Sequence, residues 1–305
     1  MPIENQQLIR PPRLLRGDLV GVISPAGPVN ETELEQGLGM LEEAGLFVRL
    51  GPHVYARTGY TAGDDSVRLG DLNAMLEDKE IKAIICARGG YGSLRLLDKI
   101  RYDLLIDSPK IIVGYSDITA LLMAVHAKTN MVTFHGSMVR TLALSEKGNW
   151  QSLLRLLTAD GAVSMDISRS SILVPGRAAG PLMGGNLSML CHLLGTDFLT
   201  SLKGCILFVE DINEPLYRLD RMLTHLSLAH VLDGISGLIA GQFEGCADNF
   251  EINQLLKDAA SEIGIPVVAG FPTGHGEENI ALPIGMWAEL DTGAMTLTIK
   301  EACVI

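Results

Sequence analysis

Apolar residues along this chain fall into two alternating textures. Continuous runs such as DLVGVIS (18–24), LFVRL (46–50), IKAIICA (81–87) and KIIVG (110–114) have the length of strands buried on both faces. Between them, apolar residues recur at intervals of three and four: Leu34, Leu38 and Leu41; Leu69, Leu72 and Leu76; Leu94, Leu97 and Ile100; Ile118, Leu121, Leu122 and Val125. That spacing predicts helices. Asn30 is placed to N-cap the first of them, Glu33 to complete a capping box, and Gly45 to end it. A short strand is expected at 131–134. Such alternation predicts a parallel sheet covered on both faces, with ligands at the carboxyl ends of its strands. Two turns fall at that edge: Arg88-Gly89-Gly90-Tyr91-Gly92 and Gly114-Tyr115-Ser116-Asp117.

The pattern loosens between about Trp150 and Gly180, where TADGAVSMDISRSS is followed by Pro175-Gly176. This divides the chain into an N-terminal α/β domain (1–160), a linker (161–180) and a C-terminal domain (181–305). In the second half, a strand at 204–209 ends at Glu210-Asp211, and Leu219, Met222, Leu223 and Leu226 line a helix. Further on come a strand at 237–242, a helix marked by Ile252, Leu255, Leu256 and Ala259, and a strand at 266–270 before the loop FPTGHG. A terminal hairpin is expected to turn at Asp291-Thr292-Gly293. The fold class is α/β: a Rossmann- or flavodoxin-like parallel-sheet domain joined to a mixed, β-rich α/β domain.

Composition narrows the function. The chain has 305 residues, 47% of them hydrophobic and 20% charged, as in globular proteins. Its formal net charge of −12 disfavours binding to a nucleic-acid backbone. No apolar run approaches the roughly 20 residues needed to span a bilayer, and the N-terminal stretch lacks the core of a secretion signal. Five cysteines (Cys86, Cys191, Cys205, Cys246, Cys303) are scattered and never form Cys-x-x-Cys. They read as thiols of a reducing compartment, and the expected location is the cytoplasm. No histidine or carboxylate spacing suggests a metal site, and no cofactor is expected.

Ser116 lies where a strand becomes a helix. A nucleophile could use such a tight turn, with the unpaired N–H groups of the helix start holding an oxyanion. The second glycine of Gly-x-Ser-x-Gly is replaced by Ile118, so the stretch by itself favours an N-cap serine. The glycine loop 88–92 suits either an oxyanion donor or a plain turn. A serine nucleophile needs a base and an orienting carboxylate. Of seven histidines, His126, His192, His225 and His230 fall in helical segments, whereas His53 and His135 lie near strand ends. His275, between Gly274 and Gly276, suits a positioned, partly exposed imidazole. Glu210 and Asp211 end a strongly apolar strand, where an acid is partly desolvated. Spacing alone does not connect the three sites.

Five motifs in order carry a resemblance: RGGYG (88–92), GYSDIT (114–119), GGNLSML (184–190), LFVEDINEP (207–215) and GHGEENIALPIG (274–285). Together they resemble the LD-carboxypeptidase family of serine peptidases, over nearly the whole chain from VISPAGP to the last hairpin. The resemblance implies a triad of Ser116 as nucleophile, Glu210 as acid and His275 as base. It implies the backbone N–H groups of Asp117 and Gly90 as oxyanion donors, and Asn186 as a substrate contact. The implied reaction removes terminal D-alanine from a murein tetrapeptide or muropeptide in cytoplasmic peptidoglycan recycling, by a homodimer that engages neither nucleic acid nor membrane. Two other readings stay open. One is an amidase like the microcin-immunity proteins, acting on aminoacyl-nucleotide conjugates. The implied difference there is a longer, aromatic-bearing mid-chain insertion, where this chain has only Trp150. The other is a non-catalytic small-molecule binder.

Overall fold

The computed structural model describes residues 7–144, 147–261 and 263–305. Strands β1 (Leu19–Ile23), β2 (Phe47–Leu50), β3 (Ile81–Cys86), β4 (Ile111–Gly114) and β5 (Thr133–His135) are mutually parallel, in the spatial order 2-1-3-4-5. That is the flavodoxin-like order of a doubly wound sheet. The expected helices cover it, with one change: the Leu94–Leu97 segment is a 3-10 helix, Ser93–Lys99. Asn30 caps helix Glu31–Glu43 as expected, its side chain accepting from the Glu33 N–H. The other half of the capping box is not used, because the Glu33 carboxylate pairs with Arg140.

The second sheet is built from β6 (Val163–Asp166), β7 (Ser171–Val174), β8 (Arg177–Asn186), β9 (Ile206–Ile212), β10 (Gly237–Glu244), β11 (Val267–Ala269), β13 (Trp287–Asp291) and β14 (Thr296–Ile299). Its order is β6-β14-β13-β8-β9-β10-β11-β7. Strands β8 to β11 form a parallel centre, and the flanking strands run antiparallel. The stretch expected to be a linker, 161–180, instead carries β6, β7 and the start of β8. Strands β6 and β7 are the two outer strands of this sheet. Their short, partly exposed segments account for the polar texture, because an edge strand is wet on one side.

The two layers are joined by chain that crosses back. Strand β12 (Leu282–Ile284), late in the sequence, pairs antiparallel with β5 in the first sheet. Hydrogen bonds Gly285 N–H to Leu182 O (2.8 Å) and Leu182 N–H to Met286 O (2.7 Å) tie the segment after it to β8. Helix Thr119–Thr129 packs against β5 and β12 on one side and β8 on the other. All of its residues except Lys128 are buried. The amphipathic spacing read for it is therefore the lesser part of its pattern: a helix between two sheets is apolar all round. The five cysteines are free thiols. Among the described residues, no helix is long and apolar enough to cross a membrane.

Candidate active site

Ser116 stands one residue beyond the end of β4, after Tyr115, at φ +62°. A side chain other than glycine rarely adopts that region, and a residue held there reflects its surroundings rather than local preference. The turn does not use the serine as a cap: its side chain makes no capping bond, and a 3-10 turn over Ser116–Ile118 precedes the helix proper. The carbonyl of Tyr115 accepts from Ile118 N–H. Half-buried Ser116 is thus presented outward, and its Oγ has no hydrogen-bond partner among the described residues.

The glycine loop lies against this elbow. A Cβ added to Gly89 would meet Ser116 Cβ at 3.0 Å and Oγ at 3.2 Å. The Asp117 carboxylate accepts from Gly92 N–H (3.3 Å) and Ser93 N–H (2.9 Å), and its carbonyl accepts from Ser93 Oγ (2.6 Å). Beneath the loop, the buried Arg68 guanidinium donates to Gly92 O (2.9 Å), to Pro25 O and to the Asp65 carboxylate (2.5 Å). The loops after β1 and β3 flank the point where strand order reverses, the place where such sheets bind ligands. Arg68 fastens these two loops to each other.

Glu210 and His275 come from the second sheet. Strand neighbours point to opposite faces, which separates the two adjacent acids. Glu210 is fully buried, and its Oε2 lies 2.6 Å from His275 Nδ1. A carboxylate only accepts, so Nδ1 carries the proton and Nε2 keeps a lone pair. Asp211 points the other way. Its carboxylate accepts from Asn186 Nδ2 (2.9 Å), from Ser188 N–H (2.9 Å) and from Ser188 Oγ (2.8 Å).

A β-bulge makes room for the histidine loop. The β9–β10 register slips between Ala240 and Phe243, leaving Gly241 and Gln242 opposite Glu210. Gln242 N–H donates to Thr273 O (3.0 Å), which docks the loop there. Gly274 has φ +112°, and a Cβ on it would lie 2.7 Å from Glu210 Oε2. Only glycine lets the backbone come so close to the acid. Asn279 holds the loop from behind, its Oδ1 accepting from Gly274 N–H (3.0 Å), and Asn149 in turn holds Asn279.

The rings join the two halves. The buried ring of Tyr115, adjacent to Ser116, packs edge-on to His275 with centroids 4.9 Å apart and to His135 at 5.9 Å. Burial pushes the His275 imidazole down, but its hydrogen bond to Glu210 and the negative charges of Glu210 and Asp211 outweigh this, leaving its pKa raised. Burial raises Glu210, and the hydrogen bond and charge of His275 only partly oppose it. Burial also pushes Tyr115 up to about 12, so it stays a neutral phenol.

Ser116 and the glycine loop are thus linked to the Glu210–His275 pair through the Tyr115 ring and the contact of Gly89 with Ser116. Asn186 is buried, with its Oδ1 capping helix Leu187–Leu193 and its Nδ2 given to Asp211. In this position it braces Asp211 and the start of the helix. His53, left open by the sequence, pairs with Asp71 at 2.8 Å. The sequence reading passed over Arg68, Tyr115 and the side chain of Asp117. Of these, Tyr115 and Asp117 carried one signal, their positions on either side of the serine, and Arg68 carried none.

Comparison with known proteins identifies the family of the chain. The model of the LD-carboxypeptidase N-terminal domain matches residues 20–136, and that of the C-terminal domain matches residues 179–290. The probable murein peptide carboxypeptidase of Bacillus subtilis (strain 168) is 39% identical, covering 95% of this chain and 94% of its own. The microcin C7 self-immunity protein of Escherichia coli is 28% identical, covering 99% of this chain and 98% of its own. The crystal structure of muramoyltetrapeptide carboxypeptidase from Oxalobacter formigenes superposes with a TM-score of 0.81 at 30% identity, covering 92% of this chain and 97% of that one.

Proposed function

The chain belongs to the LD-carboxypeptidase family, and from that premise we propose a serine carboxypeptidase that releases terminal D-alanine from a murein tetrapeptide, in cytoplasmic recycling of peptidoglycan. The observation that carries the reading is the buried Glu210–His275 pair, 2.6 Å apart, beside a serine held at φ +62°. That combination supplies a base of fixed tautomer and a half-buried hydroxyl that no hydrogen bond holds among the described residues.

In this reading His275 Nε2 takes the Ser116 proton as Oγ attacks the carbonyl of the L-centre. Glu210 holds the ring and stabilises its cationic form. The oxyanion rests on the N–H groups of Asp117 and Gly90, positioned by the Asp117–Ser93 and Arg68–Gly92 bonds. His275 then protonates the departing amine of D-alanine, and water releases the acyl-enzyme. Asn186 contributes from behind the acid pair.

The test is release of free D-alanine from the tetrapeptide, with the isomer ending in L-alanine alongside. Ser116→Ala should lower kcat on the order of 10⁵-fold or more, with the fold intact by circular dichroism. Absence of release by folded wild type would reject the peptidase reading. The likeness to the microcin self-immunity protein supports a second reading, an amidase on aminoacyl-nucleotide conjugates. Release of the amino acid from such a conjugate, without release of D-alanine, would select it. A binder without chemistry would leave Ser116 unlabelled by a fluorophosphonate and turn over neither substrate.

A further inference from the structure

A second feature of the carboxyl edge is not used by the chemistry above. Tyr91, in the glycine loop, stands exposed next to Gly90. Its ring meets that of Tyr60 edge to face, with centroids 5.3 Å apart and planes at 76°. Tyr60 is 68% exposed, so most of its ring is open to solvent at the mouth of a cleft. A cleft of about 910 Å³ opens beside it, between the 58–66 segment, helix Asp65–Glu77 and the 3-10 helix Ser93–Lys99. That volume suits a bound small molecule. Its wall is mixed: Thr58, Asp64, Asp65, Ser66, Asn73 and Arg95 offer polar groups beside Tyr60, Leu69 and Leu96. Asp65 pairs with both Arg95 and the buried Arg68, which also bonds Gly92, so the cleft wall is fixed to the glycine loop.

We propose that this cleft is a saccharide subsite, with the Tyr60 ring as its stacking platform. An aromatic face carries partial negative charge, and the C–H groups lining one face of a pyranose carry partial positive charge, so the two attract. Carboxylates and an amide around the ring accept and donate to the hydroxyls and acetamide of an N-acetylated sugar. The proposal rests on the peptidase reading and extends it. In a muramoyl tetrapeptide the sugar is attached three residues before the bond to be cut, about 10 Å of extended chain. The glycine loop meets Ser116 through Gly89 and Tyr60 through Tyr91, so a substrate held at the serine and extended along this loop would carry its sugar toward the cleft.

The experiment compares kcat/KM for D-alanine release from the free tetrapeptide and from its N-acetylmuramoyl form. Wild type should favour the sugar-linked form by roughly tenfold, the scale of one stacked ring. That ratio should fall to about one in Tyr60→Ala and persist in Tyr60→Phe. It should also persist in Phe47→Ala, an exposed ring on β2 away from the cleft. A ratio near one in wild type, or one unchanged in Tyr60→Ala, overturns the subsite. Saturation-transfer NMR with N-acetylmuramic acid separates the two ideas if no D-alanine is released. Transfer seen in wild type and lost in Tyr60→Ala keeps the subsite while the peptidase reading falls. No transfer in wild type overturns the subsite.

Discussion

His275 lies under opposing influences: burial lowers its proton affinity, while Glu210 and Asp211 raise it and prevail. A base must be neutral to act, so the acid limb of kcat/KM should lie above the ordinary imidazole value. NMR titration of His275 should show the same, and Glu210→Gln should bring the titration down. His135 presents the reverse case. It is fully buried, edge-on to Phe208 at 5.2 Å, and neither ring nitrogen has a hydrogen-bond partner. Burial, with the charge of His275, lowers its pKa to about 3. The unfolded chain therefore binds this proton from about pH 6.5 downward, and the folded chain does not until about pH 3. Stability present above pH 6.5 should be lost through that window by about 1.4 kcal/mol per pH unit. Denaturant melts of His135→Phe should lack this share of the acid slope.

At the scale of elements, the motifs are joints between strands as much as sets of reactive groups. In GGNLSML, a Cβ on Gly184 would collide with the carbonyl of Phe208, and Asn186 then caps the following helix. In GHGEEN, Gly274 lets the loop approach Glu210, and Asn279 anchors it. Gly274→Ala combines an unfavourable φ with a clash against the acid. It should cost about 1–3 kcal/mol in denaturant melts. By displacing His275 it should also lower kcat about 100-fold. An unchanged kcat would show that the close approach does not set the histidine's position. The glycines, the serine position and the acid at the strand end were all legible in the sequence as turn and edge signals. The bulge at Gly241–Gln242 was not, because a register slip appears only when β9 and β10 are paired.

Across the whole molecule, the two sheets share one buried helix and one returning strand. Leu122, fully buried in helix Thr119–Thr129, sits in the layer packed between them. Leu122→Ala should cost about 2–5 kcal/mol. Because β12 and this helix bind both layers, unfolding should remain one transition. Fluorescence of Trp150 and Trp287, read separately in single-tryptophan variants, should give coincident midpoints. Separated midpoints would show that the two sheets are independent folding units.

The sequence by itself determined the elements, the doubly wound first half and the ordered motifs that mark the family, because strand and helix periodicity and turn residues are local properties. It also placed a serine, an acid and a histidine at strand ends. The resemblance already named Glu210 as the acid, but periodicity and spacing left it level with Asp211; the contact with His275 belongs to tertiary structure, since a one-residue alternation has meaning only once the neighbouring layers are in place. It decided that 161–180 supplies the outer strands of a sheet, and that Arg68 lies beneath the glycine loop. These are contacts between residues far apart along the chain, and no local pattern encodes them.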